Sequence, residues 1–148
     1  GPVCRCGRRG CMEMYAGRKA LLNAAGCSRA SHMDADEGFA WISQKLVGSD
    51  AKVDEVMVEA TRAMASAIVS TINMLDITNV IIGGFWTRFG ANWLAQLYTS
   101  VSMQLNTVHK NKLTITFPVI DNRAALRGSA QLGLRHLIDE AGEYLLSD

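Results

Sequence analysis

The sequence lacks both a long apolar run and an excess of either charge. No apolar segment reaches the ~18 residues that a bilayer-spanning helix needs, so no contact with a membrane is predicted. Fifteen basic and 14 acidic residues give a net charge of +1, which provides no general electrostatic basis for binding nucleic acid. Internal repeats, low-complexity tracts and linkers are also missing. The 148 residues, 49% of them hydrophobic, therefore predict one globular domain.

Cysteine is scarce, yet three of the four cysteines lie within eight residues, at Cys4, Cys6 and Cys11. A tetrahedral zinc ion needs sulfur atoms that converge from a tightly folded backbone, and Gly7 and Gly10 permit the positive φ angles of such a knuckle. The spacing predicts a metal site, with a surface loop of reduced thiols as the alternative. Cys4 and Cys6 are too close in sequence for a relaxed disulfide, which indicates a reducing cytoplasm.

Basic residues surround these thiols, but a fourth metal ligand is missing. Arg5, Arg8 and Arg9 are expected to lower the pKa of the thiols and so favour the metal-binding thiolates. A closed structural zinc site needs four ligands, and neither Cys27 nor His32 has a spacing that recommends it. We expect Cys27 to be a buried free thiol and His32 a solvated loop residue.

Helices dominate the first half of the chain. Helix formers predict a helix over residues 12–25 that ends at Gly26, and a short amphipathic helix is predicted over residues 36–47. A third helix is predicted over residues 50–75. Its apolar residues recur at spacings of three and four, which is a helical period: Val53, Met57, Ala60, Met64, Ile68 and Ile72.

The second half alternates strand and helix. The segment "NVIIGG" predicts a strand buried on both faces, a helix follows over residues 88–105, and "KLTITFPVI" predicts a second strand, parallel to the first.

The last helix begins near residue 122 or 123. Small residues would let it pack closely on the sheet, and His136 on it is expected to be partly solvated rather than catalytic. The small residues are Ala124, Ala125, Gly128 and Ala130. Because two strands seldom support a domain, further strands are expected upstream.

The opening segment "CRCGRRGCME" resembles the Cys-x-Cys-Gly-x-x-Gly-Cys-x-Glu signature of the ROK family, named for repressors, open reading frames and kinases that handle sugars. The resemblance covers essentially all 148 residues, but only half of a ROK protein. It implies an α/β fold: the carboxyl-terminal part of an actin/hexokinase-like (ribonuclease H-like) lobe, helix-rich, with a short, mainly parallel sheet. A zinc knuckle would occupy residues 4–11 and the helical and strand-helix part residues 12–148. The phosphate-binding loop, the catalytic Asp and a Glu-x-Gly-His segment would precede residue 1.

The resemblance also assigns roles to the residues of the opening segment. Cys4, Cys6 and Cys11 match the three thiolate ligands of the family's structural zinc, whose fourth ligand is the His of the upstream segment. Glu13 matches the Glu that accepts hydrogen bonds from sugar hydroxyls. The alternative for Glu13 is a residue that only stabilises the helix terminus.

The glycine pair Gly83 and Gly84 matches the pair that lies beneath the adenosine in kinases of this superfamily. Those kinases usually place a small residue next, whereas Phe85 and Trp86 follow here. Two bulky side chains would fill the adenine cleft, although they could instead turn into the core. We therefore interpret the glycine pair as a degenerate nucleotide site.

These features favour the sugar-sensing and oligomerisation part of a sugar-responsive transcriptional repressor. Its partners would be a sugar effector and further copies of itself, with DNA bound only through an upstream helix-turn-helix. The alternative is the carboxyl half of an ATP-dependent sugar kinase, in which the upstream Asp would deprotonate a sugar hydroxyl. A stand-alone zinc module fits the opening segment but not the long apolar helices. None of the three interpretations places a catalytic residue within this chain.

Overall fold

The computed structural model describes residues 1–119 and 124–139, without the side chains of residues 124, 125, 136 and 137. The chain divides into two units, Gly1–Phe117 and Pro118–Asp148. The first unit contains all the elements predicted to form the site.

Helices make up most of the described residues. In chain order the elements are α1 (Glu13–Ala16), α2 (Arg18–Ala24), α3 (Ala35–Val47), α4 (Ala51–Leu75), β1 (Asn79–Ile81), a 3-10 helix (Gly84–Phe89), α5 (Gly90–Ser102), α6 (Thr107–Lys112), β2 (Thr114–Thr116) and α7 (Ala124–Asp139). No helix among them is long and apolar enough to cross a membrane.

Two aspartates fix where the long helices begin. Asp34 caps α3 through a capping box, in which its Oδ1 accepts from the backbone N–H of Glu37 at 2.9 Å and the Glu37 carboxylate accepts from the N–H of Asp34. Asp50 caps α4 by accepting from the backbone N–H groups of Lys52 and Val53. Each cap satisfies donors that the helix itself cannot pair. The predictions for residues 36–47 and 50–75 are thereby confirmed.

The core of the first unit lies between α2, α3, α4 and α5. The apolar stripe predicted on α4 is buried, except that Ile68 is half-buried. The largest side chains with almost no exposed surface come from all four helices: Leu21, Leu22, Ile42, Val53, Ile72, Leu97 and Val101.

The helix predicted over residues 12–25 is broken at Gly17. Gly17 adopts an extended backbone conformation with φ −69° and ψ 138°, which ends α1 after four residues and starts α2 in a new direction. The predicted stop at Gly26 is confirmed, because Gly26 has a φ of +88° that favours glycine.

The sheet has two strands in the described residues. β1 and β2 are parallel, with Val80 opposite Ile115, as predicted. The prediction that the first strand is buried on both faces is wrong for these residues, because Asn79 and Ile81 on one face are exposed, Ile81 to 68%, and Val80 on the other is only half-buried. At the end of α4, Met74 and Leu75 are also exposed.

The helix predicted over residues 88–105 is replaced by two elements, because Gly90, at φ +71°, separates the 3-10 helix from α5. The sequence analysis missed α6, which Asn106 caps by accepting from the N–H of His109 at 2.9 Å. In the second unit, α7 carries an ion pair between Arg135 and Asp139. The predicted ends of this helix and the side chain of His136 lie outside the described residues, so its packing on the sheet stays a prediction.

Candidate functional site

The opening segment folds into a tight hairpin that brings three thiols together. The backbone N–H of Cys4 donates to the carbonyl of Arg8 at 2.8 Å, and Val3 pairs with Arg9 in an antiparallel bridge. Gly7 and Gly10 have φ angles of +84° and +71°, which confirms that these positions need glycine.

The sulfur atoms of Cys4, Cys6 and Cys11 lie within 4.8 Å of one another, and those of Cys6 and Cys11 are 3.5 Å apart. A zinc–sulfur bond of about 2.3 Å places tetrahedral sulfurs about 3.8 Å apart. The three thiols therefore fit zinc. No other Cys, His, Asp or Glu of the described residues joins the cluster, so one vertex is left for a ligand from elsewhere.

The pKa values of two thiols of the hairpin are shifted in opposite directions. Arg8 Nε donates to Cys6 Sγ at 3.4 Å and lowers the pKa of Cys6 to about 7. The pKa of Cys11 is raised to about 11, first because of its hydrogen bond to Cys6 and then because of its hydrogen bond to Cys4. The expected lowering of the thiol pKa is thus confirmed for Cys6, through Arg8, and wrong for Cys11, whose pKa its neighbouring thiols raise.

The two other candidate ligands, Cys27 and His32, lie outside the metal cluster. Cys27 is 6% exposed, with its sulfur 3.5 Å from that of Met33, and His32 is exposed in the loop before α3. Both predictions are confirmed.

Glu13 begins α1 two residues after the last thiol, so the hairpin leads directly into it. The N–H of Met14 donates to the carbonyl of Cys11 at 2.8 Å. No side chain caps this short helix, and within the described part of the chain no hydrogen bond engages the Glu13 carboxylate, which is exposed. The carboxylate is therefore free to accept hydrogen bonds from a ligand.

Gly17 is a site residue that the sequence analysis missed. A Cβ at Gly17 would lie 2.4 Å from the backbone carbonyl oxygen of Glu13 and 2.2 Å from its Oε1. Only glycine lets Glu13 keep this position. The available signal was a glycine four residues after Glu13, inside a run that otherwise predicts helix.

The second candidate site is the turn after β1. Gly83 is extended at φ −108°, Gly84 has a φ of +70°, and, apart from the directly adjacent residues, no described residue has an atom within 4 Å of where a Cβ would stand on either. Ligands of parallel α/β sheets bind beyond the carboxyl ends of the strands. The turn is thus open at the edge where a ligand is expected.

The aromatic residues after the glycine pair turn towards the core. Trp86 is 6% exposed, and its indole N–H donates to the carbonyl of Ala16 at 2.8 Å. Phe85 is half-buried and contacts Phe89 edge-to-face, with the ring centroids 5.4 Å apart. Of the two orientations considered for these rings, Trp86 adopts the one turned into the core, where Ala16 supplies the acceptor that a buried indole N–H needs.

Comparison with known proteins places these features in a family. The sequence profile of the ROK family matches residues 1–136. The N-acetylmannosamine kinases of Haemophilus influenzae strains PittEE and PittGG are 31% identical to this chain over 84 residues, which is 57% of this chain and 26% of each kinase. The alignment thus spans about a quarter of the length of these relatives. Because the family profile covers most of the sequence, the chain belongs to the ROK family.

Proposed function

We propose that this chain is the carboxyl-terminal part of an ATP-dependent sugar kinase of the ROK family. The observation that carries the proposal is the inward orientation of Trp86, which keeps this ring away from the space beside Gly83 and Gly84. The sequence analysis favoured a repressor because the aromatic side chains were expected to obstruct the nucleotide. That steric argument no longer holds for Trp86, and the similarity to N-acetylmannosamine kinases gives the kinase further support.

In this proposal each half of the site has its own role. Glu13 accepts hydrogen bonds from the hydroxyls of a hexose or N-acetylhexosamine, and Gly83 and Gly84 let the backbone approach the adenosine. Cys4, Cys6 and Cys11 hold a zinc ion with a His from the segment before residue 1. The ion, when bound, supplies structural stability to the hairpin and to the start of α1.

The chemical step requires residues from the remainder of the whole protein. The phosphate-binding loop and the Asp that removes the proton from the attacking hydroxyl are proposed to lie before this chain. The chain itself would contribute binding and orientation of the sugar and the nucleotide, which is one part of the catalysis of phosphoryl transfer.

A sugar-responsive repressor is the second candidate. It is favoured by Phe85, which stands directly after the glycine pair where kinases usually have a small residue, and which is only half-buried. In a repressor the same Glu13 would bind an effector sugar, and no phosphoryl transfer would occur.

The test is ATP-dependent phosphorylation by the whole protein. N-acetylmannosamine, N-acetylglucosamine and glucose are supplied in turn, ADP release is followed, and the sugar phosphate is identified by mass spectrometry. We expect turnover with at least one of these sugars. Glu13→Gln should raise the KM for the sugar about tenfold and leave the KM for ATP unchanged, whereas Glu55→Gln, at an exposed position on α4, should change neither. Sugar binding without turnover, together with specific binding to operator DNA, would support the repressor instead.

A further inference from the structure

Trp86 connects the two halves of the candidate site. It stands two residues after Gly84, in the 3-10 helix that starts at the glycine turn. Its indole N–H donates at 2.8 Å to the carbonyl of Ala16, the last residue of the helix that Glu13 begins. One hydrogen bond thus joins the segment of Glu13 to the segment of Gly83 and Gly84.

This hydrogen bond satisfies the backbone carbonyl at the end of α1. The carbonyl of the last residue of a helix has no partner inside that helix, and Gly17 turns the chain away immediately after Ala16. Ala16 is 8% exposed, so without the indole its carbonyl would be poorly solvated and unpaired. A helix of four residues has little stability of its own. α1 is therefore held by the cysteine hairpin at one end and by Trp86 at the other.

Trp86 is itself held by a second tryptophan. Its ring stacks on Trp93 with centroids 4.6 Å apart and an interplanar angle of 22°. The Trp93 indole N–H donates to Thr61 Oγ1 at 3.0 Å, and that hydroxyl donates to the carbonyl of Met57 at 2.8 Å. The tryptophan pair is therefore anchored on α4, the longest helix of the fold.

We propose that Trp86 is a positioning residue of the sugar kinase, which fixes Glu13 relative to the glycine turn and couples sugar binding to nucleotide binding. The proposal rests on the proposed function. A nucleotide that shifts the glycine turn shifts the 3-10 helix and Trp86 with it, and the hydrogen bond from Trp86 to Ala16 transmits the shift to α1 and Glu13. Because such coupling is reciprocal, bound sugar also raises the affinity for the nucleotide.

The test compares the two tryptophans in the whole protein. Trp86→Phe removes the N–H that reaches Ala16 and keeps an aromatic ring, and Trp93→Phe removes the N–H that reaches Thr61. Sugar affinity is measured by calorimetry with and without a non-hydrolysable ATP analogue, together with kcat, both KM values and Tm. We expect both variants to lose thermal stability. Trp86→Phe should raise the sugar KM about tenfold and reduce the enhancement of sugar affinity by nucleotide about fivefold, whereas Trp93→Phe, which keeps the N–H that reaches Ala16, should cause smaller changes in both.

A second variant separates the loss of the hydrogen bond from any effect of misfolding. 3-Benzothienylalanine at position 86 keeps the size of the indole and replaces the N–H by sulfur, so packing is retained while the hydrogen bond is lost. We expect the same loss of coupling. Unchanged coupling in this variant, or equal losses in the Trp86 and Trp93 variants, would overturn the positioning role while leaving the kinase proposal intact. A parent protein that binds no nucleotide would overturn both proposals.

Discussion

Replacing Gly17 with alanine tests whether sugar binding depends on the position of Glu13. A Cβ essentially never comes within 3.0 Å of another heavy atom, so the Glu13 carbonyl oxygen, at 2.4 Å from the added carbon, must retreat by about 0.6 Å. The carboxylate, whose Oε1 would be 2.2 Å from that carbon, must also leave its present place. Gly17 has a φ of −69°, which alanine adopts readily. The perturbation therefore arises from the contact with Glu13 and not from backbone strain.

The expected result for Gly17→Ala is a selective loss of sugar binding. Losing one hydrogen bond to a charged group weakens binding about tenfold, which calorimetry on the whole protein measures directly. Zinc content should stay at the parent level, because the three thiols precede Glu13 in the chain whereas Gly17 follows it. Gly48→Ala is the matched control, since its Cβ would be 3.5 Å from the nearest atom. Parent affinity in Gly17→Ala would refute the role of Glu13.

Three further predictions concern metal, pH and assembly. Cys11→Ser should lower the zinc content of the protein, measured by atomic emission, and stoichiometric zinc in this variant would contradict the ligand assignment. The 148 residues alone should bind zinc less tightly than the whole protein. The N–H of Glu37 holds the pKa of Asp34 below its usual value, so the folded state binds fewer protons than the unfolded state. The Tm difference between the parent and Asp34→Asn should therefore be complete above about pH 4 and shrink as the pH falls through the folded pKa; a difference that grows in acid would be evidence against this cause. With Met74, Leu75 and Ile81 exposed, the isolated chain should self-associate, and a monodisperse, cooperatively melting monomer in light scattering would argue the opposite.

Features that depend on local sequence were predictable here. The stripe on α4 was predicted because a helical period of burial is present in the sequence itself. The thiol cluster was predicted because Cys4, Cys6 and Cys11 are close enough in sequence for one hairpin to bring them together. The resemblance of this segment to the ROK signature then supplied a role for Glu13.

Features that depend on distant partners were not predictable. The direction of the Trp86 ring is set by the carbonyl of Ala16, 70 residues earlier in the chain. The exposure of Ile81 depends on which element covers that face of β1, which "NVIIGG" does not encode.

Nucleotide binding by Gly83→Val tests the central claim most directly. Gly83 is extended, and apart from its two chain neighbours no described residue has an atom within 4 Å of its missing Cβ, so we expect valine to fit without disturbing the fold. Its branched side chain would occupy the space proposed for the adenosine. On the whole protein, calorimetry should give an affinity of Gly83→Val for a non-hydrolysable ATP analogue at least tenfold weaker than that of the parent. In the absence of nucleotide, the variant should bind sugar with the same affinity as the parent. Undiminished affinity for the analogue in Gly83→Val, or a parent that does not bind it, would contradict the account.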